Sequence, residues 1–366
     1  MKKSLLIILS CILLVGLIFT GCSGTASTTT ATVTSTSTAT QVTTSSTTAT
    51  VTTTIKPIDI KIGGGMPQGH AISVSIVDWQ KKLEAATNGR VKTTFYEAGT
   101  IAKSAELYDA CLNGTLQAVH LAEFWAGGRF PIVEGVDSLP FTFPGGITQQ
   151  TQTINTLIAK GLLAKELEPF KLLYFTSTGV LNIFTANTKI LTMADFKGQK
   201  LRASGVNVKT TELLGGQGLT IPGEEEYMSI QKGILTGNLT GVDNVVGRKE
   251  YEILKYGIQN PLATGGFFFI MNKNFWNSLP PDIQTIIDNL NKEEAAAHVI
   301  SQGAAQAKAW ETCKTNGMDI YSVASDEIAK WRVATSSIAG DWVKTANGKG
   351  LPGDQVLATI KEITGN

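Results

Sequence analysis

The sequence predicts an α/β protein of two domains whose largely parallel sheets are covered by helices. Three observations carry that prediction. From Pro57 onward, alternating apolar segments and helical ones succeed each other in β-α-β-α-β order. Setting aside an N-terminal apolar run and a Ser/Thr tract leaves about 310 residues, which suits two cores of about 150 residues each. Pro280-Pro281 opens a helical pattern of some 35 residues, about 50 Å at 1.5 Å per residue. One domain of this size is narrower than that, so the helix is expected to cross both.

The elements follow in order. Ile58, Ile60 and Ile62 alternate with Asp59 and Lys61, the period of a half-buried strand, before Gly63-Gly64-Gly65 breaks it. Ile72, Ile76, Trp79 and Leu83 fall at helical spacing, and Asn88-Gly89 ends that helix. Residues 90–95 form the next strand, 104–112 a second helix closed by Asn113-Gly114, and 116–121 a third strand. Residues 171–175 and 182–186 read as two strands, and 199–203 as a short one after Gly198. Residues 206–214, closed by Gly215-Gly216, and 223–235 read as helices, and 267–271 as a densely apolar buried strand. In the long helix proline occupies the first turn, where it is tolerated, and Ile283, Ile286, Ile287 and Leu290 supply the apolar stripe. Asn316-Gly317 ends it.

The N-terminus has a different character. Met1-Lys2-Lys3 precedes an apolar run from Leu5 to Phe19 and then Thr20-Gly21-Cys22. About 15 apolar residues fall short of the roughly 20 that span a bilayer and suit a signal-peptide core. Small residues followed by Cys22 resemble a bacterial lipobox, with Phe19 where Leu is usual. The resemblance implies cleavage before Cys22 and lipidation of its thiol; an uncleaved anchor helix is the alternative. Residues 23–54 are almost pure Thr and Ser without apolar periodicity, a flexible stalk with a root-mean-square reach of about 30 Å. Either way the remaining chain is expected outside the cytoplasm, tethered to a membrane.

Composition removes several classes of partner. With 31 basic and 30 acidic residues the net charge is +1, so no basic excess exists to neutralise nucleic-acid phosphates. Cys11 and Cys22 belong to the leader and its processing site. Cys111 and Cys313 read as two buried thiols rather than a pair. No CxxC or Cys/His cluster suggests a metal, and no cofactor is expected. Gly63-Gly64-Gly65 invites a dinucleotide reading, but Gln68 stands where a third Gly is needed and Pro67 intrudes. That turn reads instead as strand-to-helix backbone facing a cleft. None of His70, His120 and His298 lies in a hydrolase or zinc-protease motif. His120 reads as a satisfied core residue, His298 as a surface or packing residue, and His70, at the start of the first helix, as a ligand neighbour or a structural residue. Glu224-Glu225-Glu226 reads as a solvated helix N-terminus favoured by the macrodipole.

Arg202 is the candidate with most chemistry. It ends a short strand before a helix, the place where open α/β sheets bind ligands, and its guanidinium fork matches a carboxylate bidentately. An ordinary surface salt bridge is the alternative.

Residues 195–202, Asp-Phe-Lys-Gly-Gln-Lys-Leu-Arg, resemble the Asp-Leu-Lys-Gly-x-Lys-x-Arg run of the substrate-binding proteins of TRAP (tripartite ATP-independent, DctP-like) transporters. Further likenesses follow in one order over about 57–320: Asn88-Gly89-Arg90, Glu106-Leu107 to Gly114, Leu139-Pro140-Phe141, Glu225-x-Tyr227 with Gln231-x-Gly233, and Trp276 to Pro280. The resemblance implies a two-lobe periplasmic-binding-protein-like (type II) fold, with hinge strands, a long domain-crossing helix and an organic acid anion in the cleft. It implies TRAP permease membrane subunits as partners and no enzymatic activity, and it carries Arg202 over as the carboxylate-gripping residue. The expected organisation is a leader at 1–21, a stalk at 22–55, lobe I at 56–178 with a returning segment at about 262–280, lobe II at 179–261, and the crossing helix with C-terminal helices at 281–366.

The chain also departs from the family. Thr188 and Lys189 stand where many members have a second Arg before Ile190, and Thr236 and Thr240 replace an Asp and a ligand-contacting Asn. One strong cation with few others fits a smaller, more apolar monocarboxylate. Phe124 and Trp125 could supply an aromatic wall or interlobe packing. Beside Arg202, the candidate ligand contacts are therefore Trp125, Phe124, His70, Tyr227 and Thr240. Rival readings are an extracytoplasmic hydrolase, for which no nucleophile–base pair is recognisable, a sensor or adhesion lipoprotein, and a receptor for an ATP-driven importer.

Overall fold

A computed structural model of the chain describes residues 56–66, 71–221 and 225–365. The leader, the stalk with Cys22, His70 and Glu224 lie outside the described residues.

Ten strands are described. The first five are β1 (Ile58–Gly64), β2 (Val91–Tyr96), β3 (Ala118–Ala122), β4 (Phe170–Thr185) and β5 (Lys200–Arg202). The others are β6 (Gln217–Leu219), β7 (Gly237–Thr240), β8 (Tyr256–Ile258), β9 (Ala263–Asn272) and β10 (Asp319–Tyr321). They run in the order β2-β1-β3-β9-β4-β7-β5-β6, with β8 pairing both β4 and β10. β1 pairs in parallel with β2 and β3, and β5 with β6 and β7. The prediction of largely parallel sheets holds at these flanks and in the β8–β10 pair, but not in the centre. β9 lies antiparallel to both β3 and β4, and β4 antiparallel to β7 and β8. All ten residues of β9 are buried, as a central strand covered on both faces requires.

β4 is one strand of 16 residues where two were predicted. Its first part pairs with β9 through Leu181, and its last four residues pair with β7. Register shifts between Leu172 and Tyr174 and between Ser177 and Gly179 interrupt the alternation of side chains, so the sequence reads as two segments with a gap. Gly179 takes φ 108° at the second shift, a conformation that favours glycine. β4 thus carries the chain from one set of strands to the other and makes one two-lobe architecture of both.

The helices are α1 (Ala71–Ala86), α2 (Leu107–Leu112), α3 (Pro131–Ser138), α4 (Gly146–Ala159), α5 (Val206–Leu213) and α6 (Glu226–Gln231). They continue as α7 (Val242–Gly247), α8 (Lys273–Ser278), α9 (Pro281–Thr315), α10 (Ser325–Thr335), α11 (Ser337–Gly348) and α12 (Gly353–Thr364). The helix predicted at 104–112 opens as a single 3₁₀ turn, Ser104–Glu106, before α2. The helix predicted at 223–235 is the shorter α6, which stops at Lys232 because Gly233 turns at φ 71°.

α9 spans 35 residues and serves two cores. Its first turns place Ile283, Ile287 and Leu290 among Ile60, Ile62 and Trp79. Its last turns place Ala309 and Cys313 among Phe184, Leu235 and Val245. Trp79 donates its indole N–H to Asn291 Oδ1 at 2.9 Å, fixing α1 against it. Cys111 and Cys313 are free and buried in separate cores, as two thiols rather than a pair. Among the described residues, no helix is long and apolar enough to cross a membrane.

Candidate ligand-binding site

Local chemistry puts Arg202 in place. Asp195 Oδ2 accepts from the Leu191 and Thr192 amides at 3.0 and 2.8 Å and closes a tight turn. Phe196 anchors that turn in a core, and Gly198 at φ 81° redirects the chain into β5. β5 lies between β6 and β7, in register as Arg202 with Leu219 and Arg202 with Asn238. The strand ends at Arg202, and α5 begins four residues later behind Gly205.

The guanidinium is held by one edge. Nε donates to the Ile221 carbonyl at 3.2 Å and lies 3.9 Å from Glu226 Oε2. Among the described residues neither terminal nitrogen has a hydrogen-bond partner, and the side chain keeps 21% of its surface. An anchored Nε edge with a free terminal pair is the arrangement that can receive a carboxylate.

Behind it lies a buried charged cluster. Glu226 is wholly buried, contrary to the expectation of a solvated acidic run. Arg248 Nη1 donates to Glu226 Oε2, and Asn238 Nδ2 donates both to Glu226 Oε1 at 2.7 Å and to Glu250 Oε2 at 2.9 Å. Arg248 Nη1 also lies 3.8 Å from Glu250 Oε1. Burial and the Glu226 charge push the Glu250 carboxyl up to about 7, against the opposing pull of Arg248 and Asn238. Sequence reasoning missed Asn238, Arg248 and Glu250, since only the packing of α6, α7 and β7 brings them beside Arg202.

The other candidates are placed unevenly. Thr240 is buried two residues beyond Asn238, so it shares the sheet face of the β7 residue paired with Arg202. Its hydroxyl accepts from Asn244 Nδ2 at 3.2 Å. Tyr227 is half-buried and directs its hydroxyl to Glu252 at 3.1 Å, not into the Arg202 cluster. Trp125 stands edge-on to Phe267, centroids 5.1 Å apart, and fills the space beside Gly65. Phe124 packs against Trp125 and is 61% exposed. Both aromatics lie in the 3₁₀ turn after β3, and Trp125 stands beside Gly65; the predicted break at Gly63-Gly64-Gly65 comes later than expected, since β1 runs on through Gly64. His70 lies outside the described residues.

His120 is a buried core residue stacked on Phe267 at 5.0 Å, as expected. His298 is a packing residue within 3.3 Å of the Ser177 carbonyl, and burial lowers its imidazole pKa. A cavity of about 730 Å³ opens between α1 and α9, lined by Ser73, Asp78, Lys82, Tyr174, Glu294 and His298 among others. It does not contain Arg202, and three carboxylates, Asp78, Glu97 and Glu294, line it against Lys81 and Lys82, the latter held by Asp78 and Glu294, so it offers an anion less than the Arg202 fork does. A second buried acid pair, Glu123 with Asp137, braces β9: Glu123 accepts from the Gly266 amide at 3.2 Å, and Asp137 from Thr264 Oγ1 at 3.1 Å and Gln150 Nε2 at 2.5 Å.

Two sets of strands joined by a long shared strand, a helix serving both cores, and a partly exposed guanidinium anchored by its Nε edge at a strand end define a two-lobe solute-binding protein. Residues 62–345 match the bacterial extracellular solute-binding protein family 7 (DctP), and the chain belongs to that family of TRAP-type receptors. It is 25% identical over 327 residues to the C4-dicarboxylate-binding periplasmic protein DctP of Rhodobacter capsulatus, covering 84% of this chain and 92% of that one. It is 26% identical over 229 residues, 58% of this chain and 59% of the other, to a monocarboxylate 2-oxoacid-binding periplasmic protein of Nostoc. Among solved structures, a TRAP periplasmic solute-binding protein of Desulfovibrio salexigens superposes with TM-score 0.78 at 24% identity, covering 84% of this chain and 95% of that one. A marine-metagenome TRAP solute-binding protein specific for aromatic acids, in complex with metahydroxyphenylacetate, superposes with TM-score 0.75 at 25% identity, covering 84% and 98%.

Proposed function

We infer that this chain is a solute receptor that captures a small organic monocarboxylate and hands it to a TRAP permease. The anchored Arg202, with its two terminal nitrogens unpartnered among the described residues, carries the reading. Relatives that bind C4-dicarboxylates, 2-oxoacids and aromatic acids support an organic acid. A single carboxylate is favoured because Lys189, at the position of a second cation, is already engaged. Its Nζ lies 2.6 Å from Asp319 and 4.7 Å from the Tyr321 ring centroid. Phe124 and Trp125 offer an apolar surface for the rest of the ligand, and Thr240 a hydroxyl. We place the lobe boundary at the Ser177–Gly179 register shift, with closure about β4 and β9. Lipidation at Cys22 and tethering by the 22–55 stalk would hold the receptor at the membrane beside its permease.

The test is calorimetric titration of the purified protein with 3-hydroxybenzoate, pyruvate and succinate. The reading expects micromolar binding of a monocarboxylate, about −8 kcal/mol, and much weaker binding of succinate. Preference for succinate would overturn the single-carboxylate assignment, and binding of none of the three would remove its support.

A further inference from the structure

Arg202 is not isolated from the acids behind it. Four elements meet in one cluster: Asn238 from β7 bridges Glu226 of α6 and Glu250, Arg248 from the end of α7 lies against both acids, and Arg202 from β5 reaches the cluster at Glu226 Oε2, 3.9 Å away. The two arginines face two carboxylates, so with both acids ionised the cluster is neutral. Glu226 is saturated by Arg248 and Asn238. Glu250 is not: Oε2 accepts from Asn238, while the buried Oε1 has no hydrogen-bond partner among the described residues. A buried carboxylate oxygen without a donor is the place where a proton relieves the largest desolvation cost.

An anion arriving at Arg202 adds a negative charge to this neutral cluster. We propose that ligand capture is proton-linked: the incoming carboxylate takes up the charge that Arg202 lends to the Glu226–Glu250 cluster, and Glu250, whose Oε1 lacks a donor, binds a proton from solvent there as the complex forms. This rests on reading Arg202 as the ligand anchor. Glu250 is poised for the role because burial and Glu226 already hold its carboxyl near neutral pH, at about 7. The sign follows from linkage. Binding raises the affinity of Glu250 for its proton, so by reciprocity protonation tightens ligand binding, and affinity rises as pH falls through the region around 7. A carboxylate ligand stays ionised throughout that window. One pKa unit of coupling gives about fivefold tighter binding at pH 6 than at pH 8.

Two measurements test this, one of them independent of the ligand. Carboxyl-carbon NMR of the ligand-free protein, with Glu250→Gln to assign the resonance, is expected to show Glu250 titrating near neutral pH. Its midpoint is expected to move upward in Arg202→Gln, which removes the same charge that a ligand would occupy. A midpoint in the ordinary carboxylate range, or one that Arg202→Gln leaves in place, overturns the coupling. Calorimetry with 3-hydroxybenzoate in phosphate and in Tris at pH 7 is then expected to show net proton uptake in the wild type and none in Glu250→Gln, whose affinity stays flat from pH 6 to 8. Binding without proton uptake, at one affinity across that range, overturns it as well. If 3-hydroxybenzoate fails to bind while the NMR midpoint still moves with Arg202, that acid is not the ligand and the charge coupling stands.

Discussion

Arg248 donates to the same Glu226 oxygen that Arg202 approaches only to 3.9 Å. The buried carboxylate is therefore neutralised by Arg248, and the Arg202 fork keeps 21% of its side-chain surface with no hydrogen-bond partner for its terminal nitrogens among the described residues. Two arginines that look interchangeable in sequence differ in setting: Arg248 is engaged with the buried acids, and Arg202 is the one we propose for the ligand.

Replacing Arg248 with Met separates the two tasks. Glu226 and Glu250 would share a buried space with only Arg202 and Asn238 to compensate them. Breaking a buried ion pair by removing one partner costs about 3–5 kcal/mol, and Arg202 would be drawn onto Glu226. Urea unfolding is expected to show that loss of stability, and titration with ligand a parallel loss of affinity. A variant of unchanged stability would mean that Glu226 is not held as described.

Gly65 tests the aromatic wall. A Cβ there would overlap the Trp125 ring, which packs against Phe267. Gly65→Ala is expected to displace Trp125 and to weaken binding of an aromatic acid by about tenfold, roughly 1.4 kcal/mol, while the thermal midpoint falls by only a few degrees. Unchanged affinity, measured by tryptophan quenching and calorimetry, would place Trp125 away from the ligand.

The Glu123–Asp137 pair makes stability depend on pH. Burial pushes both acids up, Asp137 to about 7 from an ordinary 3.8. The folded protein then holds protons that the unfolded chain releases. This contribution is fully present below about pH 4 and is lost as pH rises through about 7. Glu166, pushed up to about 8 by burial, acts in the same direction. Asp137→Asn keeps an acceptor for Thr264 and Gln150 and gains a donor toward Glu123. Its stability is expected to decline less between pH 5 and 8 than that of the wild type, as read from denaturant midpoints. Parallel profiles would contradict the reading that Asp137 is held protonated by burial.

What the sequence made legible is local. The Asp195 turn, the positive-φ Gly198 and the strand that ends at Arg202 are built within eight residues, so their pattern is visible without knowing the fold. The same holds for α1 and α9, whose apolar positions repeat at helical spacing and are buried as read, apart from the half-buried Ile286. Non-local features were hidden. β9 reads as a buried strand, but nothing in its own residues says that it pairs antiparallel on both sides. The bulge at Ser177–Gly179 disguises β4 as two strands. α4 escaped notice because its buried face includes Gln150, Thr151 and Thr153, polar residues that blur the apolar period. Glu226 was misread as solvated because its partner Arg248 lies 22 residues downstream and reaches it only once α7 has packed.

The central claim is that Arg202 receives the ligand carboxylate. The most direct measurement is the dissociation constant of a bound monocarboxylate for the wild type, Arg202→Ala and Arg202→Lys. Truncation to Ala is expected to weaken binding by about 2–5 kcal/mol, moving a micromolar site toward the millimolar range or beyond. Lys is expected to recover only part of the loss, since it keeps the charge without the fork. An Ala variant that folds and binds with the wild-type constant would contradict the account.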